Sequence, residues 1–129
     1  MEKDYNNIFF VDDSDLSQYS LKNYLKKGKI KNLDSIISVK NSDISRKLLQ
    51  SESNAKVLIC DYDTIKDNFL EWLNNSGINI PVFVITYENN EQNKLNFLKN
   101  IYPNVINIFK KPYNPNKLIE EIQKFLKKK

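Results

Sequence analysis

Short apolar runs punctuate the chain, and each stops at a polar or charged residue. Ile8-Phe9-Phe10-Val11 runs into Asp12-Asp13, Val57-Leu58-Ile59-Cys60 into Asp61, Val82-Phe83-Val84-Ile85 into Thr86, and Val105-Ile106-Asn107-Ile108-Phe109 into Lys110-Lys111-Pro112. Leu33 to Val39 is a weaker run of the same kind. Brief apolar runs with polar ends fit strands buried on both faces, as in a parallel sheet. Between them the apolar period changes to that of a helix. Leu21, Tyr24 and Leu25 form one stripe, followed by Ile44, Leu48 and Leu49, then Ile65, Phe69, Trp72 and Leu73. Leu95, Leu98, Ile101 and Tyr102 form the fourth, and Leu118, Ile122, Phe125 and Leu126 the fifth.

The punctuation agrees with the stripes. Ser14-Asp15, Asn41-Ser42 and Asn114 stand where helix N-caps are expected, and Pro115 follows Asn114 at the first helical position. Gly28 and Gly77 fall just past helix ends, where a C′ residue sits, and Pro103 stops the fourth helix. Five strands alternating with five helices predict βαβ units with right-handed crossovers. The expected architecture is an α/β domain with a doubly wound, parallel, five-stranded sheet covered by helices on both faces. At 129 residues the chain is expected to be a single domain, 1–129, with its core between about residues 8 and 126.

Composition narrows the chemistry. There is no histidine, which excludes Ser-His-Asp and Cys-His catalysis and histidine-ligated metals. Two glycines are too few for a Walker loop or a Rossmann glycine-rich turn. One cysteine, Cys60, excludes an intramolecular disulfide, and beside Asp61 it reads as core filler. No apolar run approaches the roughly 20 residues needed to span a bilayer, and Met1-Glu2-Lys3-Asp4-Tyr5 is too polar for a signal peptide. A cytoplasmic setting without membrane contact is expected. The net charge of +4 is lopsided, with nine lysines and two acids between Lys94 and Lys129. Such a surface can attract nucleic acid or an acidic partner, but a solvated lysine-rich face is the favoured reading.

The residues at the strand ends carry the candidate chemistry. If the first and third strands are neighbours, Asp12, Asp13 and Asp61 converge at a switch point where open parallel sheets bind ligands. Three close carboxylates raise one another's pKa, and a divalent cation such as Mg²⁺ relieves the repulsion. An aspartate can also act as a nucleophile and form an aspartyl phosphate. A transferring phosphoryl group needs cations and hydrogen-bond donors on its oxygens, and Lys111 and Thr86 are suitable types at suitable strand ends. Singly, each has a plainer reading: Asp12-Asp13 as a capping pair, Asp61 as a polar strand end, Thr86 as a turn residue, Lys111 as a surface lysine.

Together the four segments Val11-Asp12-Asp13-Ser14, Leu58-Ile59-Cys60-Asp61, Val84-Ile85-Thr86 and Phe109-Lys110-Lys111-Pro112-Tyr113 resemble the receiver domain of bacterial two-component response regulators. The resemblance extends from Ile8 to Leu126. It implies the flavodoxin-like receiver fold with strand order 2-1-3-4-5. It also implies Asp61 as phosphoacceptor, Asp13 as direct Mg²⁺ ligand and Asp12 as the acid holding the ion largely through water. Asp63 would lend a backbone carbonyl to the metal, Thr86 the switch hydroxyl and Lys111 the ammonium, with Lys110 as the competing lysine. The Lys111-Pro112 bond is expected to be cis. The sequence departs from the family pattern where Ile65 replaces a proline, Phe69 a glycine, Tyr87 a small residue and Ile108 the switch aromatic.

The implied function is phosphorylation of Asp61 by a sensor histidine kinase or phosphotransfer protein. The fourth helix, fifth strand and fifth helix would then form a face that changes its affinity for a downstream protein partner or a second copy of the chain. The implied domain is a signalling module rather than an enzyme, with no direct nucleic-acid contact. The alternative is a pseudo-receiver of the same fold that binds its partner without phosphorylation, motivated by Tyr87, Ile65 and Ile108.

Overall fold

A computed structural model describes residues 6–28, 33–39, 46–47, 49, 55–87 and 91–127. Five strands, β1 (Asn6–Val11), β2 (Leu33–Val39), β3 (Ala55–Asp61), β4 (Val82–Thr86) and β5 (Val105–Lys110), form one sheet in the order β2-β1-β3-β4-β5. Every neighbouring pair is parallel. Four helices have defined limits: α1 (Asp15–Lys27), α2 (Tyr62–Ser76), α3 (Glu91–Ile101) and α4 (Pro115–Lys127). Residues 46, 47 and 49 are also helical and Leu49 is buried. The Asn41-Ser42 cap, Ile44 and Leu48 of that expected helix lie outside the described residues.

The strands bury both faces because alternate side chains point to opposite sides of a sheet. Phe9, Val11, Leu58, Cys60, Val82 and Val84 face α2 and α3, whose Ile65, Phe69, Leu70, Leu73 and Leu98 complete that layer. Ile8, Phe10, Val57, Ile59, Phe83 and Ile85 face α1 and α4, which supply Leu21, Leu25, Leu118, Ile119 and Ile122. An apolar run without alternation is thus two period-2 patterns interleaved, one for each helical layer. The carboxyl ends of β1 and β3 are adjacent, with Val11 opposite Cys60. β3 and β4 pair Asp61 with Ile85, one residue before Thr86.

The helix limits follow the capping residues. The Ser14 hydroxyl accepts the Ser17 N–H at 3.2 Å at the start of α1. Asn114 starts α4 by accepting the Asn116 N–H on its side chain, 3.0 Å, and the Lys117 N–H on its carbonyl, 3.1 Å. Gly77 closes α2 with φ +81°, the left-handed conformation that favours glycine. Gly28 closes α1 for another reason. Its φ is −75°, available to any residue, but a Cβ there would stand 2.8 Å from Ile119 Cγ2. The missing side chain lets the end of α1 lie against α4, where Gln123 donates to the Gly28 carbonyl at 2.7 Å. Two stripe residues point outward: Tyr24 on α1 and Ile101 on α3 are both exposed. Tyr102, one residue beyond α3, is buried.

Candidate phosphoacceptor and metal site

Three strand ends deliver the charged residues to one place. β1 ends at Val11, so Asp12 and Asp13 leave the sheet beside the end of β3, where Asp61 is the last strand residue. One carboxylate oxygen from each of Asp12, Asp13 and Asp61 lies within 4.8 Å of the others. Asp12 and Asp61 are buried and Asp13 is exposed. Lys111 arrives from beyond β5, its N–H bonded to the Thr86 carbonyl at 2.7 Å, and the Lys111-Pro112 peptide is cis. Its ammonium stands 3.2 Å from Asp61 Oδ1 and 4.0 Å from Asp12 Oδ2. Lys110, the competing lysine, ends β5 opposite Thr86, and the ammonium at the carboxylates belongs to Lys111. Thr86 itself is buried.

Asp12 is oriented from its own turn. Its Oδ1 accepts the Ser14 N–H at 2.9 Å and its carbonyl accepts the Gln18 side-chain amide at 2.7 Å. Its Oδ2 is buried and accepts no hydrogen bond among the described residues. The Asp12 carboxyl is pushed up to about 6, first by burial, with the Asp61 and Asp13 charges adding to it. The Ser14 N–H and the Lys111 ammonium pull the other way. Mutual repulsion, the cause expected from the sequence, is therefore secondary to desolvation. Burial alone would lower Lys111, but Asp61, through its charge and a hydrogen bond, and then Asp12 outweigh that and hold the ammonium above its ordinary value.

This donor set fits a hard divalent cation. All three ligand residues offer carboxylate oxygens, one of them exposed to admit water, and among the described residues the buried Asp12 Oδ2 has no donor, a place that a cation or its bound water would fill. Asp63 stands in the first turn of α2, and what its side chain does is accept the Tyr87 N–H at 3.3 Å. Tyr87 is 67% exposed, and its ring centroid lies 4.5 Å from the Lys111 ammonium. A cavity of about 330 Å³ opens beside this group, lined by Asp12, Leu16, Tyr87, Lys111, Pro112 and Tyr113 among others.

Sequence reasoning missed two neighbours. Gln18 holds the Asp12 backbone from the first turns of α1, and Lys94 of α3 places its ammonium 4.4 Å from the ring centroid of Tyr62, the residue after Asp61. No periodic or motif signal marks either residue. Of the family departures, Ile65, Phe69 and Ile108 are all buried in the layer formed by α2 and α3, where their bulk fills the core.

The architecture is the flavodoxin-like receiver fold, and solved structures of that fold superpose over nearly the whole chain. The signal receiver domain of an HD domain-containing protein from Pseudomonas fluorescens Pf-5 matches with a TM-score of 0.78 at 13% identity, over 98% of this chain and 90% of that one. The signal receiver domain of the putative LuxO repressor protein from Vibrio parahaemolyticus matches with a TM-score of 0.78 at 20% identity, over 96% and 92%. The isolated receiver domain of RcsB from Salmonella enterica serovar Typhimurium, solved with phosphomimetic BeF3⁻, gives 0.75 at 18%, over 95% and 89%. No family model matches the sequence, and no curated protein matches it. The likeness is thus one of fold, at sequence identities where the backbone is shared and most side chains are not. Among the described residues no helix is long and apolar enough to cross a membrane.

Proposed function

We propose that the chain is a response-regulator receiver domain that accepts a phosphoryl group on Asp61 in a Mg²⁺-dependent reaction. The observation that carries the reading is the buried Asp61 carboxylate. It has the Lys111 ammonium at 3.2 Å and Asp12 and Asp13 within reach of one ion, at the adjacent ends of β1 and β3. Asp12, Asp13 and Asp61 would hold the metal. When bound, the ion supplies positive charge to the phosphoryl oxygens and cancels the repulsion among the carboxylates. The resemblance assigns a further ligand to the Asp63 carbonyl, for which a helix beginning at Tyr62 has to open its first turn.

In the transfer, an Asp61 oxygen attacks phosphorus as the bond to the donor's leaving group breaks, and the electron pair departs with that group. The Lys111 ammonium shifts from the carboxylate toward the phosphoryl oxygens, and the Thr86 hydroxyl, at the end of the neighbouring strand, donates to the same group. The donor chemistry is a phosphohistidine on a sensor histidine kinase or phosphotransfer protein. The new charge biases the α3, β5 and α4 face between two arrangements, and a downstream protein or a second copy reads the difference. The domain acts in the cytoplasm as a signalling module, not a turnover enzyme, and does not itself bind nucleic acid.

The pseudo-receiver reading keeps one specific observation in its favour: Tyr87 covers Lys111, the cation the phosphoryl group requires. Intact-mass measurement after incubation with Mg²⁺ and acetyl phosphate separates the two. The phosphoacceptor reading requires a single phosphoryl adduct that needs Mg²⁺ and is absent in Asp61→Asn. Failure of the unmodified chain to form it, while remaining folded, favours the pseudo-receiver.

A further inference from the structure

The Lys111 ammonium has partners of two kinds, carboxylates and a ring, with Asp12 Oδ2 at 4.0 Å the more distant carboxylate. Asp61 Oδ1 is 3.2 Å away on the buried side, and the Tyr87 ring centroid is 4.5 Å away. A cation over an aromatic face is attracted by the ring quadrupole out to about 6 Å. The ring is largely exposed, but its backbone is anchored: the Tyr87 N–H donates to Asp63 Oδ2 at 3.3 Å, across from β4 to the first turn of α2. The preceding residue is Thr86, fully buried, and its carbonyl holds the Lys111 N–H at 2.7 Å. The backbones of Tyr87 and Lys111 are therefore both held, and the ring and the ammonium separate by side-chain rotation. It has room to do so, because the cavity it lines with Leu16, Pro112 and Tyr113 measures about 330 Å³.

We propose that Tyr87 is a positioning residue whose ring competes with the incoming phosphoryl group for the Lys111 ammonium. The proposal rests on Asp61 being the phosphoacceptor. In the resting chain the ring and Asp61 share the cation. A phosphoryl group on Asp61 draws the ammonium to its own oxygens, and the ring is released toward the cavity. The effect belongs to the π face and not to the volume of the side chain, which separates it from simple crowding of the site. A contact of this class at an exposed ring corresponds to a factor of about two to five in an equilibrium constant.

The test uses the full chain and the variants Tyr87→Phe, Tyr87→Leu and Tyr87→Ala, none of which disturbs a buried position. Two quantities are measured. The first is the NMR shift of the Lys111 ε-methylene protons in metal-free buffer, moved upfield by a ring held over them. The second is the affinity for beryllofluoride with Mg²⁺. The proposal expects the upfield shift in the unmodified chain and in Tyr87→Phe and its loss in Tyr87→Leu and Tyr87→Ala. It expects beryllofluoride to bind about two- to fivefold tighter to Tyr87→Leu and Tyr87→Ala, with Tyr87→Phe unchanged. Leucine behaving like tyrosine would assign the effect to bulk and overturn the proposal, as would equal affinity in all four proteins or no upfield shift in the unmodified chain. If the unmodified chain binds no beryllofluoride, the phosphoacceptor reading fails and takes this one with it. A complex of equal affinity throughout removes the Tyr87 proposal alone.

Discussion

Replacing Asp12 by asparagine should make the metal-free protein more stable, although it removes a charged group 4.0 Å from a lysine. Burial and the neighbouring carboxylates lift the Asp12 carboxyl from 3.8 to about 6 in the folded protein. The folded state therefore binds the proton more tightly than the unfolded chain does. Above pH 6 Asp12 is ionised in both states and the native protein carries the full penalty. A shift of about two units corresponds to roughly 3 kcal/mol, and with the group 1% exposed little of it is screened. Between about pH 6 and 4 the native state protonates first and the penalty fades, and below both values it is gone. Asparagine keeps an oxygen for the Ser14 N–H but turns an NH₂ toward Lys111, so we expect a gain of about 1–3 kcal/mol at pH 7.5. Urea unfolding in EDTA, repeated at pH 7.5 and 4.5, measures it directly. The advantage of Asp12→Asn should shrink at the lower pH. Excess Mg²⁺ should reverse the order at pH 7.5, because a ligand that binds only the native state stabilises only the protein that binds it. A less stable Asp12→Asn protein in EDTA at pH 7.5, or a difference that ignores pH, would refute the reasoning.

Lys111→Met should have the opposite sign. It leaves Asp61 and Asp12 buried without their cation, costing about 2–4 kcal/mol at pH 7.5 by urea unfolding. With its pKa held above the ordinary lysine value, the stabilisation Lys111 provides is complete below that ordinary value and is lost as pH rises through the raised one. Gly28→Ala should cost about 1–2 kcal/mol, because the new Cβ meets Ile119 Cγ2 at 2.8 Å. Ile119→Val, which retains that methyl position, should not rescue it, whereas Ile119→Ala should narrow the difference between glycine and alanine in thermal unfolding.

The sequence carried the layers well because a doubly wound sheet writes itself in simple signals. Val57 to Cys60 and Val82 to Ile85 contain nothing but apolar side chains, so neither face could be solvent. The strand ends were legible for the same reason, since the first charged residue after such a run marks where the chain leaves the core. That principle located Asp12 and Asp61, and its polar counterpart the buried Thr86, but it left Lys110 and Lys111 side by side, and only the resemblance to the receiver pattern chose Lys111. Periodicity was weaker at helix ends, where Ile101 continues the stripe by spacing yet points to solvent while Tyr102, past the last helical turn, folds inward. Gly28 was placed correctly for a reason the chain does not use: its role is a contact with Ile119, 91 positions away in sequence, and no local pattern encodes that. Gln18 and Lys94 escaped notice because a polar residue on an amphipathic helix looks the same whether it meets water or a strand end. Tyr87 stood out as too large for its position, but its partner, the Lys111 ammonium, depends on the cross-strand placement of two loops.

The proposed function stands or falls with Asp61 as a nucleophile that a divalent cation makes available. The direct measurement is intact mass, with and without Mg²⁺, after incubation with acetyl phosphate, on the unmodified chain and on Asp61→Asn. One phosphoryl adduct per chain, formed with Mg²⁺, suppressed by EDTA and missing in Asp61→Asn, is the predicted result. A folded chain that takes up no phosphoryl group, or takes it up equally well with asparagine at position 61, would contradict it.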